Sequence, residues 1–123
     1  AAEAIVRLSA DMMLRAPTAM GQMLVAADML VGPMREIVVL GDLQRIETAE
    51  TLADLRRRYL PNQVTACRTP DRINAPGVLE PIFQGKTMLA ADPTVYVCEN
   101  FACQNPLSGV DAVRQAWKEL GSH

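Results

Sequence analysis

The stretch Glu36-Ile37-Val38-Val39-Leu40, followed directly by Gly41 and Asp42, decides the fold of this chain. Three of its residues are β-branched and all but the first are apolar, which favours a strand buried on both faces. The glycine and the aspartate after it predict that the strand ends in a turn. Because such a strand needs cover on both sides of the sheet, the stretch indicates an α/β domain with helices on both faces.

The chain after this first strand supplies two more strands and three helices. The predicted strands are 63–67 and 94–98, and the predicted helices are 46–60, 78–83 and a last one around 110–120. This order predicts a small three-stranded parallel sheet flanked by helices, with the first strand in the middle. Gly121 is expected to end the last helix. The inner face of helix 46–60 is predicted to hold Ala49, Leu52, Leu55 and Tyr59.

Residues 1–33 are predicted to form a helical hairpin in front of the α/β domain 34–123, with helices at 1–15 and 18–31. The second helix has only Gln22 and Asp28 as strongly polar interior residues. A helix that is apolar almost all round is typical of one buried on several sides, so we expect a partner or more of the same chain to cover it. The chain starts without a methionine or the features of a signal peptide, so we expect a cut through a longer protein.

Composition excludes several classes of function. The net charge is −2 over 123 residues, which argues against general nucleic-acid binding. Charges interrupt every apolar run, so no transmembrane helix and no membrane partner are expected. The single histidine, His123, is the last residue, which argues against Ser-His-Asp and Cys-His catalysis and against His-based metal sites. The turn 41–44 lacks a G-x-G-x-x-G loop, so no dinucleotide site is supported, and no cofactor is assigned.

The cysteines are the main candidates for chemistry. Sites in open parallel sheets form beyond the carboxyl ends of the strands, where the sequence places Asp42, Cys67, Cys98 and Asn100, with Cys103 in the loop that follows. We therefore expect all three cysteines to gather at one edge of the sheet. Two functional interpretations are a Cys98–Cys103 redox pair and a Cys₃ metal site with Asp42 as the fourth ligand. The simpler interpretation, which we favour, is that small apolar cysteines pack at strand ends.

Cysteine number and spacing narrow these interpretations. Three cysteines are an odd number and too few for a secreted disulfide scaffold, which indicates a reducing, cytoplasmic setting. Four residues separate Cys98 from Cys103, a spacing found neither in the C-x-x-C of thioredoxins nor in a zinc knuckle. We therefore assign no metal. Because no acid–base pair stands out either, an independent small-molecule enzyme is not expected.

A resemblance to a known family is carried by one segment, Tyr96-Val97-Cys98-Glu99-Asn100-Phe101-Ala102-Cys103-Gln104-Asn105-Pro106. It is similar to the pattern Tyr-Val-Cys-x-Asn-x-x-Cys-x-x-Pro in the C-terminal segment of thioredoxin-domain-containing proteins related to spermatogenesis-associated protein. Weaker matches are Val39-Leu40-Gly41-Asp42, Glu47-Thr48 and Tyr59-Leu60-Pro61-Asn62. The resemblance as a whole covers roughly residues 20 to 107 of this chain.

The resemblance implies a place in a longer protein. Members of that family look like three parts in series: a thioredoxin-like domain, a helical α/α-barrel resembling sugar epimerases and glycosidases, and this tail. It implies that residues 1–33 end the barrel and that 34–123 form a C-terminal α/β domain. Because the second helix is apolar on most sides, our first hypothesis is a non-catalytic domain that docks on the helical barrel through residues 12–34. The thioredoxin-like cysteines would lie outside this chain, so no activity is carried over. The alternative is a thiol redox or thiol–metal module at Cys98 and Cys103, and the docking surface could also pair two copies of the chain.

Overall fold

A computed structural model of the chain describes residues 1–60, 62–69, 77–90, 92–100 and 102–120. These residues fall into two compact units, Ala1–Met34 and Arg35–His123. Among the described residues, no helix combines the length and the apolar character that crossing a bilayer requires.

The unit Ala1–Met34 is made of three helices, α1 (Ala2–Leu8), α2 (Ala10–Arg15) and α3 (Gly21–Val31). The single helix predicted over 1–15 is therefore interrupted, and the interruption lies at Ser9. The Ser9 hydroxyl donates to the Ile5 carbonyl at 2.9 Å. A serine that bonds back to the preceding turn in this way competes with the regular helical ladder and bends the helix.

No side chain of this first unit is buried. Its large apolar side chains that face solvent are Ile5, Leu8, Met12, Leu14, Leu24, Val25, Met29, Leu30 and Val31. Leu8, Leu14 and Val31 are 84% exposed or more. The three short helices thus leave large apolar side chains in contact with solvent, and no residue of the unit is fully covered.

The unit Arg35–His123 contains all the strands of the described chain. Its elements are β1 (Arg35–Leu40), α4 (Ile46–Arg56), β2 (Gln63–Arg68), α5 (Glu80–Phe83), β3 (Thr94–Glu99), β4 (Ala102–Cys103), β5 (Leu107–Ser108) and α6 (Val110–Leu120). The three long strands lie within one residue of their predicted positions. The two-residue strands β4 and β5 were not predicted, and Gly121 lies outside the described residues.

The sheet is mixed, and within the described residues it has five strands, so the prediction of a three-stranded parallel sheet is wrong. β1 runs parallel to β2, with Val39 opposite Cys67, but antiparallel to β3, with Ile37 opposite Val97. β4 and β5 pair antiparallel with the two ends of β3. The prediction that the first strand lies in the middle is confirmed, because the order is β2-β1-β3-β4.

The described part of the connection before β3 fits the antiparallel direction of that strand. A parallel strand requires a crossover along the sheet, usually a helix within a dozen or more residues. In the described part of this connection, α5 has four residues. That is a rise of about 6 Å, against about 20 Å for a strand of six residues. The chain enters β3 at Thr94, which lies beside Leu40 at the end of the sheet where β1 finishes.

Both faces of the sheet are covered by helices, as predicted. On the face we call the α4–α6 face, the cluster consists of Ile37, Val39, Leu52, Leu55, Val95, Val97, Val113 and Trp117. On the opposite face, which we call the α5 face, a smaller cluster consists of Val38, Leu40, Ala66, Phe83, Tyr96 and Cys98. Successive residues of β1 alternate between the clusters because side chains along a strand point to opposite faces.

The buried face of α4 differs in part from the prediction. Its buried residues are Thr48, Thr51, Leu52 and Leu55. Ala49 is exposed, and Tyr59 is 90% exposed, so these two positions were predicted wrongly. The helix ends at Arg56, and beyond that residue helical spacing no longer applies to Tyr59.

Candidate functional site

A disulfide joins Cys98 on β3 to Cys103 on β4, with the two Cα atoms 3.9 Å apart. The two residues lie directly opposite each other across the ladder. The Gln104 N–H donates to the Val97 carbonyl at 2.9 Å, so 97 and 104 form a hydrogen-bonded pair and 98 and 103 a non-hydrogen-bonded one. Such pairs bring opposing side chains closest in an antiparallel ladder, which places the two sulfurs within bonding reach.

Asn100 lies in the tight turn that brings the two cysteines together. Its φ angle is 52°, in the left-handed region that asparagine tolerates better than most residues. Glu99 pairs with Ala102 to close the turn, and position 101 between them lies outside the described residues. The role of Asn100 is therefore conformational: it adopts the backbone angle of the turn that places the two cysteines opposite each other.

The two bonded cysteine residues differ in exposure to solvent. Cys98 is 1% exposed and belongs to the α5-face cluster with Val38 and Tyr96. Cys103 lies on the short strand β4, and both residues of that strand are exposed. A reagent in solution therefore meets Cys103 and is kept from Cys98.

One carboxylate lies in the row of side chains that contains the disulfide. Glu36 on β1 is directly opposite Cys98 in the register, and it is half-buried. Directly opposed residues point to the same face of the sheet, so Glu36 and Cys98 share the α5 face. Glu36 therefore places a carboxylate in the same row of side chains as Cys98.

Cys67 does not join the other two cysteines, so the expectation that all three gather at one edge is wrong. Cys67 pairs with Val39 near the end of β1, whereas Cys98 pairs with Glu36 near its start. Cys67 also packs on the α4–α6 face, opposite to Cys98. The physical reason is the antiparallel β3, which carries its carboxyl end to the opposite end of the sheet.

The Cys67 thiol is free and half-buried. Burial raises the pKa of this thiol above its usual range, and the nearby Arg56 guanidinium offsets part of that rise. A thiol with a raised pKa is a weak nucleophile at neutral pH. Cys67 therefore behaves as a packing cysteine, which is the interpretation favoured from the sequence for this residue.

Asp42, the expected fourth metal ligand, lies in the turn after β1, at the end of the sheet away from the disulfide. Its Oδ1 atom accepts a hydrogen bond from the Gln44 N–H at 2.9 Å, as in an Asx turn. Among the residues that the structure describes, no group of three or more His, Cys, Asp or Glu side chains is arranged to hold a metal ion. A Cys₃ site with Asp42 is incompatible with this geometry, because its members lie at two ends and on two faces of the sheet.

Arg68, the last residue of β2, interacts with α5. Its guanidinium bonds the Glu80 carboxylate at 2.7 Å and lies 3.9 Å from the centre of the Phe83 ring. The Arg68 guanidinium holds the pKa of Glu80 below its usual range. Arg68 thus fastens α5 to the end of β2, away from the disulfide.

Glu36 is the residue of this site that sequence reasoning missed. It was treated only as the polar first residue of a buried strand. The signal that identifies it is register: counting back from the antiparallel β1–β3 pairing places residue 36 beside residue 98. The sequence does not contain that register, so the neighbourhood was visible only once the direction of β3 was known.

Comparisons with known proteins give distant similarity. No protein-family model matches the chain, and no solved structure matches it. Among curated proteins, human spermatogenesis-associated protein 20 is 29% identical over 98 residues. The similarity covers 80% of this chain and 12% of the human protein, in the C-terminal part of the latter. The chain is therefore similar to a small portion of a much longer protein.

Proposed function

We propose that this chain is a non-catalytic C-terminal α/β domain of a larger protein. Residues 1–33 would dock on a preceding helical barrel, and 34–123 would form the domain that they attach to it. The partner is then the rest of the parent chain, and the reaction of that parent is left unassigned.

The observation that carries this proposal is the absence of any buried side chain in the unit Ala1–Met34. Helices shorter than about 12–15 residues are marginal in water without tertiary packing, and α3 is 11 residues long. Burying apolar area contributes about 25 cal/mol per Å². A docking partner that covers the exposed apolar side chains of this unit would therefore supply stabilisation that the unit lacks by itself.

The comparison with the human protein supports a partner within the same polypeptide. The matched portion is 12% of that protein's length, which leaves a long preceding part to provide the surface. A partner joined through the chain itself also needs little affinity, because linkage gives it a high effective concentration. A second copy of this chain is the competing occupant and becomes an outcome of the test.

The test is to produce the preceding part of the parent protein and this chain as two polypeptides in one cell, with a tag on one of them. We expect the two to purify together in equal amounts. Leu14→Asp and Leu30→Asp, which place a charge on the exposed surface of the first unit, should abolish the association. Val78→Asp is the matched control, because Val78 is 98% exposed in the second unit.

Three results would contradict this proposal. The first is a chain that is monomeric by light scattering, binds no hydrophobic dye and captures none of the preceding part. The second is an association that the control variant weakens as much as the first-unit variants do. The third is a chain that forms a stable dimer through residues 1–34 whether or not the preceding part is present, which would assign that surface to a homo-oligomer.

The second candidate function is a thiol redox module at Cys98 and Cys103, and the specific observation that favours it is a disulfide with one exposed cysteine. We keep the cytoplasm as the proposed compartment, where glutathione sets a poise of roughly −220 to −320 mV. The test is to equilibrate the chain with glutathione buffers and measure the oxidised fraction by alkylation and intact mass. A midpoint above about −300 mV supports a redox function, whereas resistance to reduction assigns the disulfide to structure.

A further inference from the structure

We propose that thiol exchange at this disulfide starts at the Cys103 sulfur and that Cys98 acts as the resolving cysteine, with a small monothiol as the reacting partner. This inference rests on the second candidate function and adds to it the direction of attack. The observation behind it is the difference in burial between the two bonded cysteine residues.

Access fixes which sulfur an external thiolate reaches. Cys98 is 1% exposed, and the cluster around it consists of Val38, Leu40, Ala66, Phe83 and Tyr96. Cys103 is exposed on a strand of two residues. Because exchange requires the thiolate to reach the sulfur that it attacks, the route through Cys98 needs the sheet face to open first.

Reduction of the disulfide takes two exchange steps. The thiolate R–S⁻ attacks Cys103 Sγ, a new R–S–Sγ bond forms, and the Cys103–Cys98 bond breaks with its electron pair on Cys98 Sγ. Cys98 then takes up the proton that R–SH had released. A second thiolate attacks the R sulfur of the mixed disulfide, which releases R–S–S–R and leaves Cys103 as a thiolate. Two thiols are oxidised and one protein disulfide is reduced.

The reverse direction uses the same arrangement. When Cys103 carries a mixed disulfide, Cys98 lies directly opposite it in the ladder and is positioned to attack the Cys103 sulfur and expel R–S⁻. The turn at Asn100 and the hydrogen bond between Gln104 and Val97 hold the two residues opposite each other. Holding reactants in register replaces a bimolecular step by a faster intramolecular one.

A neutral small thiol fits the surroundings of Cys103. The residues around it in the chain, Ala102, Gln104, Asn105 and Pro106, carry no charge. The carboxylate in the same row, Glu36, lies two strands away beside Cys98. The site thus has no cationic side chain in its immediate sequence to recruit an acidic partner.

The experiment uses the folded chain with Cys67→Ala, so that every thiol measured belongs to the pair. The oxidised protein is incubated with excess 2-mercaptoethanol, quenched in acid and mapped by peptide mass spectrometry, with glutathione as the acidic comparison. We expect the mixed disulfide on Cys103 with Cys98 as the free thiol. We also expect the Cys103→Ser variant, which keeps the buried thiol, to be alkylated at least about tenfold more slowly than Cys98→Ser, because labelling then requires local opening.

The outcomes separate this inference from the function on which it rests. A mixed disulfide on Cys98, or equal alkylation of the two single-cysteine variants, would overturn the direction of attack while leaving a redox function in place. No exchange in the folded chain, with exchange only in denaturant, would overturn both. Faster exchange with glutathione than with 2-mercaptoethanol at equal thiolate concentration would overturn the choice of a neutral partner.

Discussion

At Asn100, one backbone angle explains a residue that sequence reasoning had grouped with the thiols. The motif Cys98-x-Asn100-x-x-Cys103 was identified from its resemblance to a known family, and its geometry is that of a hairpin whose turn contains a residue with positive φ. The disulfide itself was one of the alternatives left open. What the sequence lacked was the pairing register, because spacing alone does not say whether two cysteines face each other or alternate.

Glu36 is expected to slow the opening of the disulfide. Its carboxylate lies beside Cys98 in the register, and two like charges about 5 Å apart in water repel by close to 1 kcal/mol. Glu36→Gln should therefore speed reduction by 2-mercaptoethanol about two- to fourfold, since a leaving thiolate with less repulsion departs faster. The measurement is the pseudo-first-order rate of thiol release.

Glu99→Gln is the matched control for that variant. Glu99 is the sequence neighbour of Cys98, but it lies on the opposite face of the sheet and pairs with Arg35 at 3.5 Å. The rate of thiol release from the Glu99→Gln variant should equal that of the parent chain within experimental error. Equal acceleration in both variants would mean that net charge, and not the neighbourhood of Cys98, controls the reaction.

Gly41 is expected to tolerate no side chain. A Cβ atom there would lie 2.6 Å from Asp92 Oδ1 and 2.7 Å from Thr48 Oγ1. Thr48 is fully buried and Asp92 also pairs with Arg45 at 3.6 Å, so neither neighbour moves freely. Gly41→Ala should lower the free energy of unfolding by about 1–3 kcal/mol, the usual cost of overpacking.

Chemical denaturation of Gly41→Ala and of Gly77→Ala checks this expectation. No atom of the described residues lies within 4 Å of a Cβ built at Gly77, so that variant should match the parent within about 0.5 kcal/mol. Equal stability of all three proteins would show that the turn after β1 relaxes around the added methyl group.

At the scale of elements, the sequence predicted where the long strands lie but not the direction of β3. Apolar, β-branched runs identify strands locally, whereas direction depends on the connection 69–93, and a short helix with several prolines is compatible with either direction. The direction of β3 decides where the site lies, because it determines whether Cys98 is at the same end of the sheet as Cys67 or at the other end. Local sequence patterns therefore predict the strands and helices, whereas the position of the site depends on how the strands pair.

The packing of α4 on the sheet is expected to depend on Leu55. Leu55 is 2% exposed within the α4–α6 cluster, so Leu55→Ala should lower the free energy of unfolding by about 2–4 kcal/mol through lost burial and a cavity. Ile46→Ala on the same helix is the control, because Ile46 is 69% exposed, and it should change stability by less than about 0.5 kcal/mol. Similar losses at both positions, measured by urea denaturation, would contradict this assignment of the buried face.

The attachment of α5 is expected to weaken in acid. The Arg68 guanidinium lowers the pKa of Glu80 in the folded chain. The ionised carboxylate therefore stabilises the fold at pH values above the ordinary Glu pKa of 4.5. That stabilisation is lost as pH falls through the lowered folded-state pKa. Glu80 is largely in solvent, so the effect is small.

Thermal unfolding of Glu80→Gln at neutral pH and at a pH of about 3 measures this contribution. We expect a lower midpoint than the parent chain at neutral pH and a smaller difference in acid. Glu50→Gln, on the exposed part of α4, is the control for a general effect of charge. A difference that grows in acid would contradict a stabilising contribution from the ionised Glu80 carboxylate.

For the whole molecule, the distribution of burial predicts two levels of stability. All the residues of both hydrophobic clusters belong to the second unit, while no residue of the first unit is buried. Hydrogen exchange follows local opening, and segments with few buried contacts open at little cost in free energy. In the chain by itself, amides of α1 to α3 should therefore exchange much faster than those of β1 and β3.

Adding the preceding part of the parent protein should protect the amides of α3 and leave those of β1 unchanged, because docking supplies the packing that short helices need. The measurement is hydrogen–deuterium exchange by mass spectrometry at several protein concentrations. Protection of α3 that rises with concentration of the chain alone points to a second copy as the partner. Protection of α3 equal to that of β1 in dilute, isolated chain would mean that the helices are stable without any partner, and the docking proposal would then lose the observation on which it rests.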